Sequence, residues 1–357
     1  MNEPPKRKRR RYPFSLRTLL IFTIVPFPII CSSPALAAEP ANPQAGKKPR
    51  AILDYIESLP QRADKRLISG QFCDAGPRAR IGPCQEAFAK TGHWPAMIGL
   101  DYADFARGGL STYTVDRLAI EYARDGGLVT ISAHLPNPAN ANGGGLRDKG
   151  VKIKALLDPK TVTHERWLRE LDTLAAGLKE LDDADVVVLW RPFHEMNGNW
   201  FWWGGQDPEA FVQVWREMFD YFTKTKKLNN LLWVYSPNHG QKTAAYYPGD
   251  RYVDLVGLDA YTDFVDPQHI KGYAEVARLP KPFGFTEFGP HGPENPPGNF
   301  DYRRFLAGLQ KDFPRAAFFQ AWNGRWGLGS NENTRQLLDD PWLVNREDLP
   351  REFAAKP

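Results

Sequence analysis

The sequence predicts an α/β protein whose strands close into a (β/α)8 TIM barrel, and three features point there. Strand-like apolar runs alternate with helix-like segments, and no repeat or low-complexity block interrupts them. Residues able to do acid–base chemistry collect where those runs end. The stretch 51–357 is of ordinary size for one such barrel. An open, doubly wound sheet also satisfies the alternation, but it spreads the strand ends along an edge. A barrel gathers them around one pit.

Residues 1–37 stand outside that fold. Lys6 to Arg11 form a basic block, Leu19 to Ile30 are apolar, and Ala35-Leu36-Ala37 offers a small-residue cleavage site. This is the pattern of a secretory signal, too short and too Pro-interrupted for a membrane span. The expected destination is therefore secreted or periplasmic, without stable membrane association. Residues 38–50, rich in Pro, Ala, Gly and Lys, are expected as a flexible tether.

The signal also carries the positive charge. The whole chain has a formal charge of +4, but beyond residue 37 there are 39 basic and 41 acidic residues, a charge of −2. Nothing in that balance favours nucleic acid or an anionic surface, so a neutral partner is expected. Without Cys31 two cysteines remain, Cys73 and Cys84. An even pair closing so short a loop in an exported protein predicts a disulfide. Neither cysteine has a second ligand at the usual spacing, so no metal is expected; nor is a cofactor, and the expected state is a monomer.

In order, the expected strands are Leu67–Phe72, Ala96–Tyr102, Leu128–Leu135, Val186–Phe193, Leu231–Ser236, Leu255–Tyr261, Phe283–Phe288 and Ala316–Trp322. Helical spacing of Trp167, Leu168, Leu171, Leu174, Ala175, Leu178 and Leu181 predicts a helix over Glu165–Leu181. Phe211–Phe222 has a similar face, and Val115–Arg124 and Tyr302–Lys311 have weaker ones. In the fourth strand Val187, Leu189, Arg191, Phe193 and Glu195 share one parity, which points Arg191 and Glu195 into the barrel. His194 then has the wrong parity, unless the chain bends at Pro192. Phe283, Phe285 and Glu287 also share a parity.

The strand ends supply the chemistry. Glu195 ends the fourth run, Asp259 and Tyr261 the sixth, Glu287 the seventh and Trp322 the eighth, with His134 at the end of the third. Beyond Glu195 follow Asn197-Gly198-Asn199 and then Trp200, Trp202 and Trp203. A carboxylate and an imidazole beside a wall of indoles suit a cleft that grips an uncharged, ring-shaped ligand. Glu195 and Glu287, three βα units apart, face each other across the pit. Two facing carboxylates suit glycoside hydrolysis, one protonated for the leaving oxygen and one ionised for the anomeric carbon.

The run Arg191-Pro192-Phe193-His194-Glu195-Met196-Asn197-Gly198 with Trp200, the segment Gly257-Leu258-Asp259-Ala260-Tyr261 and the segment Phe285-Thr286-Glu287-Phe288-Gly289 resemble the signatures of glycoside hydrolase family 26. The likeness extends over residues 51–345 or so. It implies a (β/α)8 barrel with a retaining mechanism and endo-acting hydrolysis of a β-linked polysaccharide, above all β-1,4-mannan. Residue by residue it implies Glu195 as acid/base, Glu287 as nucleophile and His194 as a neighbour of the acid. It also implies Trp200 as an aromatic of the cleft, Tyr261 as a donor to the nucleophile and Asp259 as a nearby polar residue. His134 would contact the sugar at the cleavage point, above Trp322 as its platform. Two positions depart from the pattern, Ala133 where a Trp is usual and Asn323 where an Arg is, and both are expected on the glycone side. The Asn- and Gly-rich loop 136–159 should border the same region. Hydrolysis of β-1,3-xylan, mixed-linkage β-glucan or a bacterial exopolysaccharide is the alternative within the family. A sugar-binding protein without catalysis is the alternative outside it, and it would need neither facing carboxylate.

Overall fold

A computed structural model describes Met1, Glu3 and residues 39–292 and 297–356. The secretory-signal segment lies outside the described residues, apart from Met1 and Glu3. Eight parallel strands close on themselves: β1 (Gly70–Ala75), β2 (Met97–Asp101), β3 (Leu128–Ala133), β4 (Val188–Pro192), β5 (Leu231–Tyr235), β6 (Leu255–Tyr261), β7 (Phe283–Gly289) and β8 (Ala316–Ala321). Each pairs with the next in sequence, and Ala321 of β8 faces Gln71 of β1 to complete the ring. This is the barrel rather than the open sheet. The first apolar run is broken at Ser69, so that Leu67–Ile68 pairs beside the barrel with Leu343–Val344.

The tether expected over residues 38–50 is instead packed. Ala41 donates its backbone N–H to Asp254 Oδ1 at 2.6 Å, and the buried Asn42 side chain donates to Leu228 O at 3.1 Å. Helix α1 (Lys47–Ser58) starts inside that stretch, with Pro49 in its first turn, where the missing N–H has no intrahelical partner to lose. Its Ile52, Leu53 and Ile56 pack with Leu128, Val187, Leu232, Leu255 and Ala317, residues at the beginnings of the strands. Burial contributes roughly 1.5–3 kcal/mol per such side chain. A composition that signals disorder thus hid a helix that closes the N-terminal end of the barrel.

The remaining helices are α2 (Gly82–Thr91), α3 (Tyr113–Arg124), α4 (Val162–Asp183), α5 (Pro208–Asp220), α6 (Tyr273–Val276), α7 (Tyr302–Asp312) and α8 (Thr334–Leu338). In α4, Trp167, Leu171, Leu174, Ala175, Leu178 and Leu181 are buried as expected, while Leu168 is only partly so. Thr161 caps it by accepting the His164 N–H at 3.1 Å.

Alternation holds in β4. Val187 and Leu189 join the core cluster of α1, whereas Val188 and Trp190 join the larger cluster that holds α4 and α5. Arg191 therefore points inward, as predicted. In β7 alternation misleads, because Phe283 and Phe285 face outward against Tyr273, Phe305 and Phe313. A register shift between Phe285 and Glu287 then turns Glu287 inward.

Cys73 and Cys84 come together in the buried core, but as free thiols with sulfurs 3.3 Å apart. A disulfide needs about 2.05 Å, so the predicted bond is not formed. The short spacing brought β1 and α2 together without requiring the covalent link. Among the described residues no helix is long and apolar enough to cross a membrane.

Candidate active site

The β4 ladder ends at Pro192, and the next residues leave strand geometry at once. Phe193 has φ 51° and Glu195 φ 57°, a left-handed backbone that costs on the order of 1–3 kcal/mol at a non-glycine residue. Packing holds the bend: Phe193 turns outward among Trp167, Trp202, Trp203 and Phe211. Hydrogen bonds hold it as well, with Glu195 N donating to Ser236 O at 2.7 Å and the Trp203 indole N–H to His194 O at 2.8 Å. The bend at Pro192 is what brings both His194 and Glu195 into the pit. Trp202 and Trp203, expected in the cleft wall, are fully buried and serve this bend. Only Trp200 of the three stays partly open.

Three carboxylates meet at the bottom of the pit. Oxygens of Glu195, Asp259 and Glu287 lie within 4.8 Å of one another, and all three residues are buried. One guanidinium serves two of them: Arg191 donates to Glu287 Oε1 at 2.5 Å and to Asp259 Oδ2 at 3.0 Å. Tyr261 OH donates to Glu287 Oε2 at 2.7 Å, so each Glu287 oxygen has a donor. Among the described residues the Glu195 side chain receives one donor, the Trp200 indole N–H, at 2.5 Å on Oε2. Burial first, then the charges of Glu287 and Asp259, push Glu195 well above the usual carboxylate range. Burial and the Glu287 charge also push Asp259 up, to about 8, against the pull of Arg191 and the Ser236 hydroxyl. Of the two glutamates, Glu195 is thereby the one disposed to keep a proton.

A second polar line runs through Asp101, His134 and His194. His134 Nδ1 lies 2.8 Å from Asp101 Oδ2, and His134 Nε2 lies 3.1 Å from His194 Nε2. One imidazole must therefore donate to the other. Burial, then the charges of His134 and Arg191, hold His194 well below the usual histidine range, which keeps it neutral beside Glu195. Asp101 is held low: burial opposes its charge, but His134 and the Ser132 hydroxyl outweigh that. Trp322 donates its backbone N–H to Phe288 O, one residue past Glu287, and its indole stacks on Phe72 at 4.0 Å and 10°.

All eight site residues expected from sequence, Glu195, Glu287, His134, His194, Trp200, Asp259, Tyr261 and Trp322, belong to or border this pit. Trp200 was expected as an aromatic of the cleft, and here it also touches the acid. Ala133, expected on the glycone side, is fully buried in the main core and lines nothing. Sequence reasoning missed Asp101 and Phe72 and stopped at Ser236 as a strand end. The rule that strand C-termini face the pit would have found Asp101 and Ser236. It also missed Trp326, which stands edge-on to Tyr261 at 6.3 Å.

Replacing Tyr261 by Phe removes one donor to Glu287 with almost no change in volume. We expect kcat to fall more than tenfold, about 1.4 kcal/mol or more. Losing the donor leaves Glu287 Oε2 without its 2.7 Å partner and free to turn away from the attacking position. A near-normal kcat would reduce Tyr261 to packing.

The match to known proteins is broad. The model of "Glycosyl hydrolase family 26" matches residues 41–348. A mannan endo-1,4-beta-mannosidase from Bacillus subtilis is 35% identical, covering 94% of this chain and 96% of its own length. Mannan endo-1,4-beta-mannosidase A and B from Caldalkalibacillus mannanilyticus is also 35% identical, over 95% of this chain and 68% of its own. The solved structure of Bacillus subtilis mannanase superposes with a TM-score of 0.83 at 32% identity, covering 90% of this chain and 99% of that one. With both carboxylates in place on the matching barrel, the chain belongs to glycosyl hydrolase family 26.

Proposed function

We propose that this protein is an exported, endo-acting hydrolase of β-1,4-mannan or a mannose-containing β-glycan that works by double displacement. The observation that carries this reading is the unequal treatment of two close carboxylates. Glu287 holds two donors and Glu195 is kept protonated, with oxygens within 4.8 Å. That closeness fits a retaining enzyme, because an inverting one keeps its carboxyl groups about 6.5–9.5 Å apart to admit a water. Glu287 attacks the anomeric carbon while Glu195 passes its proton to the leaving oxygen. Glu195, now a carboxylate, then takes a proton from the water that releases the glycosyl-enzyme. The Trp200 indole fixes Oε2 of Glu195 and leaves Oε1 for the proton transfer. Trp322 offers a flat face to the C–H side of a pyranose.

Mannan is favoured by the names of the relatives, export by the basic and apolar pattern of residues 1–37. Purified protein should be tried on β-mannan, β-1,3-xylan, mixed-linkage β-glucan and cellulose with reducing-sugar detection. We expect mannan to be turned over at least tenfold faster than the others, with viscosity falling early and the β-anomer as first product. Faster turnover of another polysaccharide would replace mannan as the substrate, and an α-anomer would overturn double displacement.

A further inference from the structure

We infer that Phe105 is the platform of a distal sugar subsite, which holds a neutral pyranose of the substrate chain beyond the His134 side of the catalytic pit. The inference rests on the proposed action on a β-linked polysaccharide. Phe105 is 47% exposed, unlike nearly every other large apolar side chain here. One exposed ring is unremarkable by itself; what surrounds this one is not.

The ring stands on the tip of a hairpin that Ala103–Asp104 and Gly109–Leu110 form after β2. Asp104 Oδ1 accepts the N–H groups of Ala106 and Arg107, both at 3.1 Å, and Gly144 N donates to Gly108 O at 2.6 Å. A tip fixed in this way presents Phe105 outward at little further ordering cost on binding. On one side of the ring a cavity of about 190 Å³ is shared with His134, Pro136, Gly144 and Leu146. On another a cavity of about 320 Å³ is shared with Pro77, Arg78 and Arg107.

Continuity with the pit comes from the rings themselves. Phe105 lies 5.3 Å from His134, His134 lies 5.2 Å from Phe201, and Phe201 lies 6.3 Å from Trp200. Trp200 holds the acid, so ring packing that passes through the buried Phe201 connects the acid to the hairpin. Loop 136–159 forms part of the inner cavity, which gives that long segment a place at the cleft.

Charge selects the ligand. The Arg78 guanidinium sits 5.7 Å over the Phe105 ring and 3.6 Å from Asp74, and Arg107 lies 3.7 Å from Asp104. Each cation is matched by a carboxylate, so the site offers donors and acceptors without net charge. That suits the hydroxyls of a neutral sugar and gives no advantage to an acidic one.

Phe105→Ala and Phe105→Trp should be assayed with the unmodified protein on mannan and on manno-oligosaccharides of increasing length. We expect Phe105→Ala to lose about tenfold in kcat/KM on polymer and long oligosaccharides through a raised KM. The shortest cleaved oligosaccharide should change less than twofold, the favoured bond in mannohexaose should shift, and Phe105→Trp should restore the polymer value. An equal loss at every chain length, or none at any length, overturns the subsite while leaving the catalytic reading intact. If the unmodified protein fails to cleave mannan and every manno-oligosaccharide, the substrate reading fails and the subsite with it.

Discussion

Glu287→Ala is expected to abolish turnover on every substrate, activated or not, by about four orders of magnitude or more. That is about 5.5 kcal/mol of lost transition-state stabilisation. Without this carboxylate the covalent intermediate of double displacement does not form. The fold should survive, because Arg191 keeps its 3.0 Å contact with Asp259 and the bend at Pro192 does not involve residue 287. An unchanged melting temperature would check that. Azide placed in the space left by the side chain should attack an aryl β-mannobioside and give a glycosyl azide of inverted configuration. Activity within about a hundredfold of the unmodified protein, or an azide product of retained configuration, would remove Glu287 from the nucleophile's role.

How far the site was legible in sequence depended on whether the backbone stayed regular. Alternation placed Arg191 correctly because β4 is an unbroken ladder up to Pro192. It failed for Phe283 and Phe285, since the register shift before Glu287 is set by neighbouring strands and leaves no mark on local periodicity. His194 had the wrong parity on paper and the right position in space, because two left-handed residues flank it. Pro192 hinted at such a bend, but only the packing of Phe193 fixes its direction. The tryptophans show the opposite error: composition correctly marked the segment as special, yet two of the three indoles build the bend instead of touching substrate. Helix α1 was lost because Pro, Gly and Lys at its start resemble a linker, and its apolar face finds a partner only once the barrel exists.

The same geometry explains how two nearby carboxylates keep different charge states. Three buried carboxylates stand beside one guanidinium, which pairs with only two of them, so full ionisation would leave excess negative charge in a dry pit. Arg191 and Tyr261 bind both oxygens of Glu287, whereas Glu195 has a single neutral donor. Asp259 completes the set by holding Arg191 in place from the next strand but one. The acid depends on the nucleophile as well, because part of the upward push on Glu195 is the Glu287 charge.

Glu195→Ala is expected to divide substrates by their leaving group. On mannan, whose leaving sugar hydroxyl needs a proton, kcat/KM should fall by about 10²–10⁴-fold. On a dinitrophenyl β-mannobioside, whose leaving group departs as a stable anion, the first step should slow less than about tenfold. The second step still lacks its general base, so the glycosyl-enzyme accumulates, kcat drops and KM drops with it. The pH profile gives an independent reading. Glu195 works in its protonated form, and burial and neighbouring charge raise it well above the ordinary carboxylate range. The unmodified protein thus loses activity on the basic side as Glu195 ionises, and the alanine variant should lose that basic limb on the activated substrate. Azide should accelerate the variant and yield a glycosyl azide of retained configuration, the opposite outcome to Glu287→Ala. An equal loss on good and poor leaving groups, with the basic limb still in place, would assign the proton to another residue, and Asp259 would be the first to test.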